Sequence, residues 1–412
     1  MSPRVTVVIP VYLVERYLSA CLDSVLASTL HDIEVICVDD ASPDDCGSIL
    51  DDYASRDNRL SVIHLNTNCG QGIARNIGFE RAHGEFVYFL DSDDMVAPQA
   101  LEALCERARE DDLDGVFFDS EPIFENGDLH QRNESYLGIR KGAYPEGVVS
   151  GEELLELFCR QREWTCYVQR QLWRRSFLEE EGIVFPEWSS HEDEAFAFKA
   201  ILSARRVAYV REPYFIRRYR EGSVMTTKPT VKNLKSYFMC CCEMEEFMAS
   251  RGLRNLWVER EVFRIYEACV RIFDQVTSDG IDVESAFAGT QLYSEFLLFQ
   301  TAQRSYLRYA MFSDELVNKL REANHLYVYG AGIIARRVRK ALSLLGLAIS
   351  GFVVTNPERN PKTLECHHVI GLNHLPEPGS GDLVLIALTD GYREEVENAL
   401  DAKGWPHAYY KD

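Results

Sequence analysis

Between residues 5 and 94, short runs of β-branched side chains alternate with segments whose apolar residues recur at helical spacing. VTVVIPVY (5–12), IEVICVDD (33–40), LSVIHLN (60–66) and EFVYFLDSDD (85–94) read as strands. Residues 18–26, 48–55 and 71–84 read as the helices between them. A strand that is apolar without polar alternation is buried on both faces, which is the situation of a parallel sheet covered by helices. The order β-α-β-α-β-α-β therefore predicts an α/β fold with a doubly wound, mostly parallel sheet. Ligands of such sheets bind beyond the carboxyl ends of the strands. Two acidic clusters, Asp39-Asp40 and Asp91-Ser92-Asp93-Asp94, fall at those ends.

The remaining sequence divides by pattern. Residues 226–322 are helical in character with few Gly and Pro, with helices expected at 231–250, 256–276 and 292–311. From 325 a second unit begins: HLYVYGAGIIARRVRKALSLLG is strand, Gly-rich turn and helix, followed by further strands and a last helix at 391–403. Three domains are expected: 1–225, a helical linker or packing domain 226–322, and a small Rossmann-like α/β domain 323–412. The 412 residues are enough for that number.

The formal charge is −21, and residues 1–225 account for −18 of it. So acidic a chain is a poor match for nucleic acid, which needs a positive field along the phosphates. It suits a divalent cation. Hydrophobic residues at 46% and charged residues at 26% exclude wholesale disorder. No apolar run reaches the ~18–20 residues of a spanning helix. The start, MSPRVTVVIPVY, reads as a strand and not as an export signal. The twelve Cys contain no C-x-x-C pair. Reduced thiols in a cytoplasm are therefore the expectation. Peripheral association with the inner face of a membrane and homo-oligomerisation stay open. The aromatic-rich segment 291–312 reads first as a helix packed on its own domain.

Four clusters carry chemistry. In Asp91-Ser92-Asp93-Asp94, carboxylates at i and i+2 where a strand meets a loop can hold one hard cation, Mn²⁺ or Mg²⁺, against a diphosphate. Asp39-Asp40 can accept hydrogen bonds from a pyrimidine N–H or a ribose hydroxyl, or can cap a helix together with Ser42 and Asp44. His191-Glu192-Asp193-Glu194 precedes an apolar helical run. Acidic residues favour a helix's first turn, and such a group can also act as a general base on an acceptor hydroxyl. Arg217, Arg218 and Arg220 offer guanidinium groups for phosphate, or for the acidic surface around them.

Taken in order, these blocks resemble the family 2 inverting glycosyltransferases of the GT-A fold. The resemblance covers about the first 225 residues. It rests on IPVY (9–12), EVICVDDAS (34–42), Asn68 with Gly72, Ala74, Arg75, Asn76 and Gly78, A-x-GEF-x-x-FLDSDD (82–94), HEDEAF (191–196) and Y-x-x-RRYREGS (214–223). It implies that Pro10 and Tyr12 line the nucleotide base, with Glu15 nearby, and that Asp40 or Asp39 holds base or ribose. It further implies that Arg75 supports the nucleotide end and Asp91, beside Ser92, contacts ribose or sugar. Asp93, aided by Asp91, would ligate the metal. Asp193 would be the catalytic base, with Glu192 beside it, and Arg218 and Arg220 would steady the departing diphosphate. The implied activity is transfer from a nucleotide sugar, usually UDP-linked, to a glycan or lipid-linked acceptor in cell-surface or extracellular polysaccharide synthesis. Two positions depart from the family pattern: Leu13 stands where Asn is usual, and Ala41 where Gly is usual.

In the last unit, Gly330-Ala331-Gly332-Ile333-Ile334-Ala335 is a G-x-G-x-x-A turn between strand and helix. That is the context of a nucleotide phosphate site at Gly330, Gly332 and Ala335, although the same turn also packs helix on strand without a ligand. The acidic ribose partner expected ~20 residues on is absent, its place taken by Thr355-Asn356. His367-His368 reads as a loop pair. Two other functions compete with glycosyl transfer. Nucleotidyl transfer would need a Gly-rich basic loop after the first strand, and IPVYLVERYL has no glycine. A non-catalytic nucleotide-sugar-binding or scaffold protein would not need both Asp93 and Asp193.

Overall fold

The computed structural model describes residues 2–125, 138–187, 190–220, 229–253, 255–283, 287, 312–344, 346–360, 362–364, 367–388 and 390–410. The chain forms two compact units, Met1–Val283 and Glu284–Asp412.

The first unit is built on an eight-stranded sheet. Its strands are β1 (Val5–Val11), β2 (Ile33–Asp39), β3 (Leu60–His64), β4 (Phe86–Phe89), β5 (Met95–Val96), β6 (Gly115–Phe124), β7 (Gln171–Arg174) and β8 (Val207–Tyr219). The order across the sheet is β3-β2-β1-β4-β7-β6-β8-β5. β1, β2, β3 and β4 are mutually parallel, β7 runs antiparallel between β4 and β6, and β5 pairs antiparallel with β8. The helices are α1 (Glu15–Leu26), α2 (Cys46–Arg56), α3 (Gln71–Glu80), α4 (Ala100–Glu110), α5 (Gly151–Gln161), α6 (Arg175–Glu180), α7 (Glu192–Ser203), α8 (Val231–Arg251) and α9 (Leu256–Ser278).

All seven residues of β1 are buried, as an apolar strand without alternation requires. Neighbouring residues of β2 divide between the two faces: Val35 and Cys37 join the core with Leu18, Leu22 and Leu104, while Ile36 and Val38 pack with Ala74 of α3. α3 lies unusually close to the sheet. A Cβ on Gly78 would meet Val8 Cγ1 at 2.4 Å, so only hydrogen is tolerated there. β4 stops at Phe89, earlier than the run of apolar residues suggests, and residues 90–94 form the turn that carries the acidic cluster. α8 and α9 pack on each other, and against α7 and α5 respectively.

The second unit contains α10 (Asp314–Arg321), β9 (His325–Tyr329), α11 (Ile333–Leu344), β10 (Gly351–Val354), β11 (Thr363–Leu364), β12 (His367–Gly371), β13 (Asp382–Ile386), α12 (Arg393–Asp401) and β14 (His407–Tyr409). Its sheet order is β11-β12-β10-β9-β13-β14, parallel except for the β11 edge. His367 and His368 therefore lie on a strand and not in a loop. The expected helix 292–311 lies outside the described residues, as does most of 291–312. Among the described residues, no helix is long and apolar enough to cross a membrane.

Candidate active site

The carboxyl ends of β1 and β2 bring the first cluster together. Asp40 N donates to Val11 O at 2.9 Å. Its buried carboxylate accepts Cys69 N (2.7 Å) and Gly70 N (2.8 Å), which fixes the loop ahead of α3. Asp39 accepts Ser42 N (2.9 Å) and contacts His64 Nδ1 (2.8 Å). That contact is the first cause of the raised His64 pKa, with Asp51 second. Both carboxylates thus shape the loops around the strand ends. Asp44 accepts Cys46 N at 3.3 Å, while Asp45, the N-cap of α2, makes no side-chain capping bond. Glu15 accepts Asp45 N at 2.9 Å, locking the start of α1 to that of α2. Pro10 is buried in β1, while Tyr12 and Leu13 are exposed. Leu13 and Ala41 are left-handed, at φ 53° and 56°. Asn and Gly tolerate this region better, so Leu13 and Ala41 adopt it at a steric cost.

Arg75 joins two segments that are distant in sequence. Its guanidinium is buried, donating to Asp91 Oδ1 (2.7 Å) and Glu192 Oε1 (2.8 Å) and lying 5.1 Å from the Phe185 ring centroid. Gln71 Nε2 adds a third contact, to Asp91 Oδ1 at 2.6 Å. Asn76 holds the segment before α7, donating to Phe185 O (2.7 Å) and accepting Phe185 N (2.9 Å). Phe185 in turn stacks on Phe196 with centroids 3.9 Å apart. The approach of α3 to α7 needs Gly72, because a Cβ there would lie 2.8 Å from Glu192 Cγ.

The acidic triplet opens α7. Consecutive helical residues point about 100° apart, and the three carboxylates have three different surroundings. Glu192 pairs with Arg75, and Glu194 with Arg264 of α9 at 2.8 and 2.9 Å. Asp193 makes no ion pair among the described residues. It accepts the Cys166 thiol at 3.5 Å and Glu194 N at 3.0 Å. Burial, then the charges of Glu192 and Glu194, push its pKa up to about 7, against the pull of Arg75. His191 precedes the triplet at φ 61° and stacks on Tyr237 of α8.

The second acidic cluster meets the end of β8. Arg220 Nε donates to Asp93 Oδ2 (2.8 Å), Arg218 N to Asp94 Oδ1 (2.7 Å), and Arg218 Nε to Asp93 O (2.9 Å). Both guanidinium groups lie 5.1 Å from the Tyr17 ring centroid. Burial and the charge of Asp91 raise the Asp93 pKa despite Arg220, and burial with Asp93 and Asp91 raises that of Asp94 further. Ser92 is buried between them. Negative charge here exceeds its local compensation, which fits a hard cation. Among the described residues, no group of three or more His, Cys, Asp or Glu is arranged to hold a metal ion. Mg²⁺ and its like commonly take only one or two protein carboxylates and complete their shell with substrate phosphate and water. Asp91 Oδ2 has no hydrogen-bond partner among the described residues.

Sequence reasoning missed Gln71, Cys166, Tyr237 and Arg264. Gln71 lies one residue from the quoted Gly72, but the other three carry no local signal. Residues 221–223 of the quoted Y-x-x-RRYREGS stretch lie outside the described residues. In the second unit, Gly330 is at φ 119°, and a Cβ there would approach Ala387 O at 3.0 Å. Tight packing therefore accounts for Gly330. Gly332 is exposed with open space around it, and Ala335 is fully buried.

Residues 6–180 match the family model described as Glycosyl transferase family 2. Two Bacillus subtilis proteins are similar over about half of the chain. The uncharacterized glycosyltransferase EpsJ is 35% identical over 225 residues, covering 54% of this chain and 62% of its own. The putative glycosyltransferase EpsH is 34% identical over 233 residues, covering 54% and 63%. The chain thus spans less than two thirds of the length of either relative. Among solved structures, Staphylococcus aureus TarS 1–349 in complex with UDP-GlcNAc superposes with a TM-score of 0.52 at 21% identity, covering 83% of this chain and 89% of that one. That likeness is one of fold: the first unit has the GT-A fold.

Proposed function

We propose, from the match of residues 6–180 to the family 2 glycosyltransferase model, that the chain is a metal-dependent inverting transferase of that family using a nucleotide-sugar donor, UDP-linked by preference. The acceptor is a hydroxyl of a glycan or lipid-linked saccharide in polysaccharide synthesis, and the catalytic domain is 1–225. One observation carries this reading. Arg75 ties the strand-end Asp91 to the start of α7, where Asp193, unlike Glu192 and Glu194, makes no ion pair among the described residues.

Each group then has a task. Tyr12, exposed beyond β1, offers a face to the nucleotide base, with Pro10 and Glu15 fixing the loop that carries it. Asp39 and Asp40 fix the loops at the ends of β1 and β2 and would lie nearest the base and ribose. Asp91, oriented by Gln71 and Arg75, meets ribose or sugar beside Ser92. Asp93, with Asp91, would hold Mn²⁺ or Mg²⁺, which when bound neutralises the diphosphate charge that grows as the glycosidic bond breaks. Arg218 and Arg220 add positive charge on the same side. Asp193 accepts the proton of the attacking hydroxyl. A group held near pH 7 suits this role, being substantially ionised yet basic enough to take a proton. Glu192, neutralised by Arg75, holds α7 in place. The hydroxyl attacks opposite the departing diphosphate, so configuration inverts in one displacement.

The test is release of UDP or GDP from a panel of nucleotide sugars with and without Mn²⁺, in wild type and Asp193→Asn. Metal-stimulated release that is lost in the variant, with donor binding retained, supports the reading. A sugar-nucleotide sensor would bind donor and release nothing.

A further inference from the structure

The base-bearing helix, which itself lies beyond residues 6–180, is gripped by two later helices. α8 and α9 belong to the same compact unit as α7. They contact it at three places: Tyr237 stacks on His191 with centroids 3.7 Å apart, Glu243 pairs with Lys199, and Arg264 forms two hydrogen bonds with Glu194. The Arg264 contact differs from the others because it changes the electrostatics of the residue next to the base. Glu194 is buried, and Arg264 also holds Glu261, which is buried on α9.

We propose that Arg264 is a positioning residue for the transfer reaction: by neutralising Glu194, it keeps the adjacent Asp193 ionisable at working pH and holds the start of α7 against α9. This rests on the reading of Asp193 as the base. A carboxylate that is buried beside another charged carboxylate is pushed toward its protonated form. Asp193 has such a neighbour on each side, and each neighbour has its own guanidinium: Arg75 from α3 for Glu192, Arg264 from α9 for Glu194. The other groups facing this site cannot take over. Cys166 offers a thiol, and burial raises its pKa well above the ordinary value. Tyr237 and Cys240 of α8 are likewise held neutral by burial. Burial lowers the His191 pKa, so the ring carries no charge near neutrality. Glu261 competes for Arg264, but burial pushes its pKa up to about 7. Partial burial works to discharge Arg264, whose side chain remains 46% exposed, yet Glu194 and Glu261 keep it more firmly protonated than usual.

The experiment is the pH dependence of kcat for Mn²⁺-supported release from whichever of UDP-glucose, UDP-GlcNAc, UDP-galactose and GDP-mannose turns over fastest. Wild type, Arg264→Met, Arg264→Lys, Glu194→Gln and the Arg264→Met/Glu194→Gln double variant are compared between about pH 5 and 9. Arg264→Met should move the acid limb up by roughly one unit, lowering kcat at pH 7 by about fivefold with donor KM unchanged. Arg264→Lys should restore the limb. Glu194→Gln should move it down, and the double variant should follow Glu194→Gln. An acid limb in Arg264→Met that coincides with wild type or lies below it overturns the proposal, as does a pH-independent loss of kcat. If Arg264→Met does not fold, Glu194→Gln decides: a downward shift supports the proposal and an unmoved limb overturns it. Asp193→Asn, measured alongside, separates the two levels. Near-normal turnover in it defeats the base assignment itself. An inactive Asp193→Asn with an unmoved Arg264→Met limb defeats only the role of Arg264.

Discussion

A single methyl group tests whether α3 and α7 must meet for catalysis. In Gly72→Ala the new Cβ would lie 2.8 Å from Glu192 Cγ, 3.0 Å from Pro186 O and 3.3 Å from Glu192 Cβ, where ordinary contact begins at 3.4 Å. Glu192 must retreat by about 0.6 Å, and the Arg75 bond at 2.8 Å stretches or turns with it. Two energies oppose each other. Ala gains about 1 kcal/mol over Gly inside a helix, and overpacking costs about 1–3 kcal/mol. The net loss of about 0–2 kcal/mol should lower Tm by no more than about 8 °C. The effect on turnover should be larger, because sub-ångström misplacement of reacting groups costs rate steeply: kcat should fall ~10- to 100-fold. Gly78→Ala is the matched control. It lies on the same helix, but its Cβ would meet Val8 Cγ1 at 2.4 Å, under the sheet and away from the site. It should cost more stability yet leave the kcat of folded protein near normal. Circular dichroism melts and initial rates of UDP release on both variants decide the matter. Wild-type turnover in Gly72→Ala would refute the idea that α7 must be held at this distance from α3.

Other outcomes are expected from the same geometry. Asp193→Asn should lower kcat by ~10²–10⁴ while donor binding, followed by thermal shift with UDP, survives. Wild-type activity should rise with pH through about 7 as Asp193 ionises. The stability effect has the opposite sign. The folded-state pKa of Asp193 lies above its unfolded value, so its contribution is fully present below pH 4 and lost as pH rises through about 7. Asp193→Asn should therefore melt above wild type at pH 8 and level with it below pH 4, as calorimetry can check. Ala41→Gly should relieve a left-handed alanine at φ 56°. The gain of about 1 kcal/mol, or roughly 2–4 °C in Tm, is measurable by differential scanning fluorimetry. Chelation with EDTA should stop nucleotide release and added Mn²⁺ restore it. Asp93→Asn should raise the Mn²⁺ concentration for half-maximal rate by roughly tenfold or more.

Much of this was open to inspection before any coordinates. β1 and β2 announce themselves because a fully buried strand has no alternative to continuous apolar sequence. α8 and α9 fall within two residues of the expected spans because amphipathic spacing is a local property. Apolar patterning places the end of β4 too late: Leu90 is as buried as the strand before it, but the backbone has already turned. The hydrogen bonds of Asp40 to Cys69 N and Gly70 N are invisible to spacing rules because they join loops that meet only across the sheet.

Chain order alone settled the alternating α/β architecture and put carboxylates at strand ends, since burial patterns and turn chemistry act over a few residues. Which carboxylate would be left without a cation could not be settled that way. Glu192, Asp193 and Glu194 are chemically near-equivalent neighbours, and their difference comes from Arg75 and Arg264, brought in by α3 and α9. Electrostatic character depends on distance through space, and folding alone sets that distance.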